Sequence, residues 1–298
     1  MKPSTSQELN NMLPRSDNQS DNINPDAETI TTIEPKSGWQ FINFKELFEY
    51  RDLFFFLVWR DIKVLYAQTI LGFIWAILQP LVQIVLFTIV FGKVAQISTD
   101  GIPYFLFSTV AVIPWTYMSQ AMNQSSQSLV TSQHILGKVY FPRLIFPLTA
   151  VLAKLVDFGI SLLIILVVII YYQVAPTWNL LLLPLFVLHM VSIAAGVGFW
   201  LSAMAIRFRD VRYAMGFITP ILMYTAPIVY TASSIPEKWR LLYSLNPIVG
   251  NIEGFRACLL GTPMPWIYVW PGLITAALLL VSGALYFKHI EKVFVDVI

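Results

Sequence analysis

Two helical stripes of aromatic and amide side chains are the residues of this chain best suited to contact a ligand. On one apolar segment, Tyr104, Phe107 and Trp115 recur at helical spacing. On the preceding apolar segment, Gln79 and Gln83 lie one turn apart. Aromatic faces pack on the C–H faces of sugar rings, and amides hydrogen-bond hydroxyl groups, so the stripes could line a path for sugars. The alternative is ordinary helix packing with aromatic anchoring at the membrane interface.

A pair of opposite charges lies within a later apolar segment. Lys154 and Asp157 are three residues apart, so on a helix they share a face and can pair. Two charges at the centre of a bilayer cost about 5 to 7 kcal/mol on the insertion scale, which makes pairing necessary. We expect a structural ion pair buried against neighbouring helices. A proton or ion relay and a contact to substrate are the alternatives.

The motifs that would indicate catalysis within this chain are absent from the sequence. It has no G-x-x-x-x-G-K-[ST] loop for ATP, no G-x-S-x-G and no H-E-x-x-H. The single cysteine, Cys258, excludes an internal disulfide, and His189 has no second ligand nearby in sequence, so no metal site is expected. We therefore expect a protein that is not an enzyme. If ATP drives its activity, another polypeptide hydrolyses it.

Composition places these residues in a membrane. Hydrophobic residues make up 57 % of the 298 and charged residues only 12 %, and the net charge of +2 does not favour nucleic-acid binding. A bilayer core needs about 20 apolar residues per helix. Continuous apolar runs of this length favour helices over β-barrels, so we predict an all-α integral membrane protein with six transmembrane helices. The predicted spans are 70–92, 102–122, 144–172, 178–206, 213–235 and 267–287.

The distribution of Lys and Arg predicts the orientation. With the N-terminus inside, cytoplasmic segments carry 14 of these residues and outer segments carry 4. Both termini are therefore expected in the cytoplasm. Residues 1–38 are acidic, polar and without an apolar run, so they are predicted to be a disordered tail with no signal peptide.

Two further segments are predicted to face the cytoplasm without crossing the membrane. Within residues 39–69, apolar and charged positions from 44 to 67 alternate at helical spacing, which indicates an amphipathic interface helix. Its charges Arg60, Asp61 and Lys63 suit contact with a soluble partner, although a simple membrane anchor is the alternative.

The second segment, 123–143, is longer than a tight helical hairpin needs. Ser125, Ser126 or Ser128 could cap a short helix there, and Gly137 could end it. We expect an ordered docking element. An incidental linker is the alternative.

Several stretches resemble one family. RDIKVLYAQTILGFIWAILQP, KVYFPR, LVDF, RFRDVRY, LNPIVGNIEGFRACLL and FVDVI, in this order along the chain, are similar to the transmembrane subunits of ABC-2 type polysaccharide exporters. These export O-antigen, teichoic acid and related lipid-linked glycans. The sequence departs from the family at Leu65-Tyr66-Ala67, where relatives often carry more basic residues.

The resemblance implies an assembly and a location. It implies a homodimer with two separate ATP-binding subunits in the bacterial cytoplasmic (inner) membrane, in contact with membrane lipids and a lipid-linked polysaccharide. No cofactor is expected in this chain, and ATP and Mg²⁺ are expected in the ATPase subunit. Residues 70–298 would form the transmembrane domain, with a coupling helix within 124–139 and short re-entrant helices at the outer face within 236–264.

The resemblance also assigns site residues. The first, second and fifth spans of both subunits would line a channel, at Phe73, Trp75, Gln79, Gln83, Tyr104, Phe107, Trp115 and Tyr224. The residues expected to couple to the ATPase are Arg60, Asp61, Lys63, His134, Lys138 and Arg143.

Three alternatives stay open. The first is an ABC exporter of a small drug or lipid. The second is an ion-coupled secondary transporter, which needs membrane carboxylates, whereas only Asp157 lies within a span. The third is a membrane glycosyltransferase or ligase, for which the long outer loop offers only Glu237 and Glu253 as acids.

Overall fold

The computed structural model describes residues 48–67, 72–133, 141–208 and 210–291, and every regular element in those ranges is helical. The predicted tail (1–38), His134, Lys138 and the chain end after 291 lie outside the described residues. The α-helices are α1 (Arg51–Ala67), α2 (Ile74–Phe87), α3 (Tyr104–Thr131), α4 (Ile145–Tyr171), α5 (Leu183–Arg207), α6 (Val211–Thr225), α7 (Glu237–Ser244), α8 (Pro247–Leu260) and α9 (Trp266–Glu291).

Four helical segments of the described chain are long and apolar enough to cross a membrane. Helix α2 continues as a π-helix over Thr88–Val94, and a 3₁₀ turn over Trp178–Leu182 leads into α5. These two segments, together with α4 and α9, agree with the first, third, fourth and sixth predicted spans to within a few residues.

The fifth predicted span is shorter in the structure than in the prediction. Helix α6 ends at Thr225, and its 15 residues extend only about 22 Å. Ala226 is extended, with ψ at 156°, because the ring of Pro227 disfavours helical geometry in the residue before it. The prediction of one continuous span to residue 235 is therefore wrong beyond Thr225.

Helix α3 is longer than predicted. It continues for nine residues past residue 122, the expected end of the second span. Ser125 and Ser126 are buried inside this helix rather than capping a new one. Ser125 Oγ donates to the carbonyl oxygen of Pro147 on α4, 3.1 Å away. The predicted capped helix after residue 122 is therefore wrong over the described part of the loop.

The core forms where α3 packs against α4 and α5, and where α5 packs against α9. Small residues allow this close approach. A Cβ atom on Gly196 of α5 would lie 2.7 Å from the backbone nitrogen of Leu280 on α9, and one on Gly198 would meet the Ser125 side chain. Ala194, Gly198 and Ser202, which recur every four residues on α5, are all buried, so this small-residue face packs against other helices.

Helices α7 and α8 occupy the region where the resemblance implied short helices. Asn246 caps α8 by accepting a hydrogen bond from the amide of Ile248 at 3.1 Å, and Gly261 ends the helix at φ +70°. Most of α8 is buried, and it packs against α3, α5 and α9. The outer loop of the sequence prediction therefore contributes directly to the core.

Candidate functional site: a polar groove beside helix α3

The second half of α3 carries a polar stripe on one face. Its members recur at steps of three and four residues, and all are half-buried except the last, which is exposed. The positions between them, such as Met118, Met122 and Leu129, are fully buried. The polar stripe consists of Thr116, Ser119, Gln120, Asn123, Gln124, Gln127, Ser128 and Thr131.

The side chains of the polar stripe differ in their hydrogen bonds. The hydroxyls donate back to carbonyls of their own helix, as Ser128 does to Ser125 at 2.7 Å, and the Asn123 amide likewise donates to the Ser119 carbonyl at 2.8 Å. Gln120 instead donates to Gln79 Oε1 on α2 at 3.0 Å. Gln124 and Gln127 make no side-chain hydrogen bond with any described residue, so their amides are available to a ligand.

The polar stripe faces two adjoining cavities of about 300 and 660 Å³. Gln79, Gln120 and Lys154 line both of them, and we refer to the combined space as the polar groove. The smaller cavity adds aromatic walls from Trp75 and Tyr117. A space lined by amides and aromatic rings suits a hydroxyl-rich ligand that also has apolar faces.

The predicted ion pair of α4 lies in the wall of this groove. Lys154 Nζ is 2.8 Å from Asp157 Oδ2, and their side chains are 12 % and 19 % exposed, which confirms the predicted pairing. Tyr66 of α1 also donates a hydrogen bond to Asp157. Burial, together with the Asp157 carboxylate, raises the pKa of Tyr66, so the hydroxyl keeps its proton at neutral pH.

The predicted coupling residues fall into separate places. Arg60 Nη2 is 2.7 Å from Asp61 Oδ1, and this pair lines the wider cavity, whereas the Lys63 side chain is exposed. The backbone amide of Arg143 donates to Glu291 Oε1 at 3.1 Å, which places Arg143 at the end of α9. The remaining predicted coupling residues lie outside the described chain.

The predicted channel residues of α2 and α6 are accessible. Trp75 and Gln79 line the polar groove, and Phe73 and Tyr224 are each 53 % exposed. Gln83 is half-buried, and its amide reaches Met223 Sδ of α6 at 3.4 Å. In the single subunit, only Trp75 and Gln79 of this group contribute to the groove.

Two of the predicted channel residues of α3 lie in the core instead. Phe107 and Trp115 are 1 % and 3 % exposed, and neither lines either cavity of the polar groove. Tyr104 is half-buried, and its hydroxyl donates to the carbonyl of Val229 at 2.8 Å. The structure therefore corrects the channel prediction at Phe107 and Trp115 in favour of helix packing. Helical spacing places both rings on one face of α3, but it does not show whether that face contacts a channel or other helices.

Helix α8 carries a buried arginine that the sequence patterns did not predict. Arg256 is 3 % exposed, its Nη1 lies 2.6 Å from Glu253 Oε1, and its guanidinium carbon is 3.6 Å from the ring centroid of Phe107. The i, i+3 spacing of Glu253 and Arg256 is the feature of the sequence that could have predicted this ion pair. Arg256 Nη2 also reaches the Ile228 carbonyl at 3.4 Å, so this residue joins α8 to α3 and to the turn after α6.

The side chain of His189 on α5 is within hydrogen-bond distance of groups on α8 and α9. Its Nε2 lies 3.1 Å from the carbonyl oxygen of Gly272, and Asn251 Nδ2 lies 3.4 Å from its Nδ1. This pattern fits an imidazole that donates from Nε2 and accepts at Nδ1. Among the residues that the structure describes, no group of His, Cys, Asp or Glu is arranged to hold a metal ion.

The fold is that of a helical membrane protein, and comparison with known sequences identifies its class. The family model described as ABC-2 type transporter matches residues 52–260, and the chain belongs to this family. It is thus a multi-pass membrane subunit of an ABC transporter, a class that works with an ATPase partner.

Its relatives are named as polysaccharide transport proteins. The chain is 28 % identical over 215 residues to the O-antigen export system permease protein RfbA of Myxococcus xanthus, covering 72 % of this chain and 82 % of the relative. A protein of the same name from Klebsiella pneumoniae is 24 % identical over 251 residues, or 83 % and 95 % of the two chains. The polysialic acid transport protein KpsM of Escherichia coli is 22 % identical over 199 residues, or 65 % and 76 %.

Proposed function

We propose that this chain is the transmembrane subunit of an ATP-driven exporter that moves polysaccharide across the bacterial cytoplasmic membrane. The relatives are named for this kind of substrate, and the polar groove carries the proposal for this chain. Gln124 and Gln127 line the larger cavity and make no side-chain hydrogen bond with a described residue. Their amides are therefore available to hydroxyl groups that pass there.

The groove can bind sugars without holding them tightly. An amide donates through nitrogen and accepts through oxygen, and a sugar hydroxyl does both, so successive sugar units can exchange partners along the polar stripe. Trp75 offers a flat apolar face in the smaller cavity of the groove. A conducting path needs binding that favours entry and is weak enough for release, which neutral hydrogen bonds provide.

The proposal includes a homodimer and a lipid-linked glycan. The exposed face of α6 carries Tyr213, Phe217 and Tyr224, and Phe73 is exposed at the start of α2. A second subunit facing these rings would complete the wall of a channel and would cover apolar surface. The lipid anchor would remain in the bilayer while the sugar chain enters the groove.

The proposed topology has six spans and both termini in the cytoplasm. Helices α3 and α6 would be the second and fifth spans, in addition to the four apolar segments. Helices α7 and α8 would be re-entrant at the outer face. The residues after 122 would then lie at the cytoplasmic side, so the polar stripe would begin where a glycan made in the cytoplasm enters.

ATP and Mg²⁺ would bind in the ATPase subunits. Helix α1 is the proposed interface helix, and its exposed Lys63 is suited to contact the ATPase. The loop after α3, with His134 and Lys138, would supply the coupling helix. Because Tyr66 of α1 hydrogen-bonds Asp157 of α4, a displacement of α1 would be transmitted to the groove wall.

The function is tested by export in cells that lack the native subunit. Replacing both Gln124 and Gln127 by Leu should abolish most surface glycan while membrane abundance and assembly with the ATPase stay near normal, because both side chains are half-buried at the groove. Gln173→Leu is the matched control, since this exposed glutamine lies in the turn after α4 and does not line the groove. Normal surface glycan in the double variant would refute the proposed path.

A further inference from the structure

The charged side chains of the polar groove come in two neutral pairs. Arg60 is bonded to Asp61, and Lys154 is bonded to Asp157. Among the described residues that line the groove, these four are the charged ones. The formal charge of this lining is therefore zero.

Both cations are held closely by their carboxylates. Arg60 uses Nε at 3.0 Å and Nη2 at 2.7 Å to bind the same oxygen of Asp61. Lys154 Nζ is 2.8 Å from Asp157. An anion that enters the groove must compete with these carboxylates for each cation, and it is repelled by the carboxylates themselves. The groove therefore offers an anionic chain little net attraction.

The neutral part of the lining also favours hydroxyl groups over anions. A hydroxyl can donate to the Oε1 atom of Gln124 or Gln127 and accept from the Nε2 atom. A carboxylate only accepts, so it can use the amide nitrogens of the polar stripe but not the amide oxygens. The amides therefore add no preference for the charged groups of an anionic glycan, and the paired charges give such a chain no compensating attraction.

We infer that the groove is built for an uncharged glycan segment, in preference to a polyanion such as polysialic acid. This inference rests on the proposed function and specifies its substrate class. The two ion pairs keep positive charge away from the sugar chain, and the amides bind it. Release of either cation from its partner would convert the groove into an anion-binding one.

The test uses the purified complex of this subunit with its ATPase and two probes of similar length. Maltoheptaose is the neutral probe and oligosialic acid is the anionic probe, with binding measured by equilibrium dialysis. Wild-type complex should bind maltoheptaose about ten-fold more tightly than oligosialic acid at low salt. Gln124→Leu should weaken the binding of maltoheptaose.

Asp61→Asn provides the decisive variant because it releases Arg60 into the groove. Oligosialic acid should then bind about five-fold more tightly, and this gain should disappear at high ionic strength, where exposed charges are screened. The preference for maltoheptaose over oligosialic acid should therefore fall. Asp52→Asn is the matched control, since Asp52 forms an exposed pair with Arg51 on the same helix and does not line the groove. A double variant with Arg60→Gln and Asp61→Asn should return oligosialic acid binding to the wild-type value.

Three results would count against the inference. Equal or tighter binding of oligosialic acid by the wild-type complex would overturn the neutral-glycan assignment and leave polysaccharide export intact. An unchanged affinity for oligosialic acid in Asp61→Asn would show that the pair does not control the charge of the groove. Failure of both probes to bind at millimolar concentration would overturn the groove as a glycan site and, with it, the proposed function.

Discussion

The loss of Lys154 should destabilise the subunit, and the structure gives the size of the effect. Lys154→Met removes one hydrogen bond to the Asp157 carboxylate and leaves a neutral side chain of similar length. A hydrogen bond to a charged group is worth about 1.5 to 3 kcal/mol, and breaking a fully buried ion pair costs about 3 to 5 kcal/mol. Tyr66 still donates to Asp157, and the pair borders a cavity that water can enter. We therefore expect about 2 kcal/mol, a change of roughly thirty-fold in the ratio of folded to unfolded protein.

The assay is a double-mutant cycle on membrane abundance and on thermal unfolding in detergent. Lys154→Met should lower both, and the double variant Lys154→Met with Asp157→Leu should recover most of the loss, because no charge is left without a partner. Glu237→Gln is the control, since the Glu237 side chain is 88 % exposed and its pair with Arg240, at 3.6 Å, is worth less than about 1 kcal/mol. If both single variants at 154 and 157 unfold as the wild type does yet abolish export, the pair acts in transport and the structural assignment is wrong.

Three further predictions concern helix packing and a second buried ion pair. Gly196→Ala should destabilise the folded subunit by about 1 to 3 kcal/mol, because the added Cβ would meet the α9 backbone. Gly159→Ala is its control: the added Cβ meets nothing within 4 Å, so this variant should stabilise α4 slightly. Thermal unfolding midpoints test both. Trp115→Ala should cost about 3 to 5 kcal/mol and deplete the protein from membranes, and normal abundance with lost export would instead return this ring to the channel. Arg256→Met should cost about 3 to 5 kcal/mol and be partly rescued by Glu253→Gln, and the absence of rescue would show that the ion pair is not the source of the loss.

The apolar spans were the predictable part of this fold. The hydropathy of a segment is the sum of the contributions of its residues and does not depend on tertiary contacts. The bounds of four predicted spans therefore agree with the structure to within a few residues. The end of α6 was also encoded locally, since Pro227 follows it, but a hydropathy window averages over a proline. The continuation of α3 was missed because polar residues at 123–131 lowered the hydropathy, although their spacing of three and four is helical.

The site was predictable only where partners are near in sequence. Lys154 and Asp157 are three residues apart, so a helix brings them together without reference to the rest of the fold. The bond from Tyr66 to Asp157 joins positions 91 residues apart, and only the tertiary packing of α1 on α4 creates it. The surroundings of the Trp115 ring likewise depend on which helices pack against α3. The periodicity of the sequence does not show which helices these are.

A photocrosslink between the groove and the glycan tests the central claim most directly. A photoreactive amino acid replaces Gln124 in the polar stripe or, as a control, Leu166, which is 54 % exposed on α4 and does not line the groove. Cells that synthesise radiolabelled glycan are illuminated during export, and the subunit is isolated. We expect labelled glycan on the protein with the probe at 124 and none with the probe at 166. Absence of glycan at 124 in cells that export normally would contradict the proposed path.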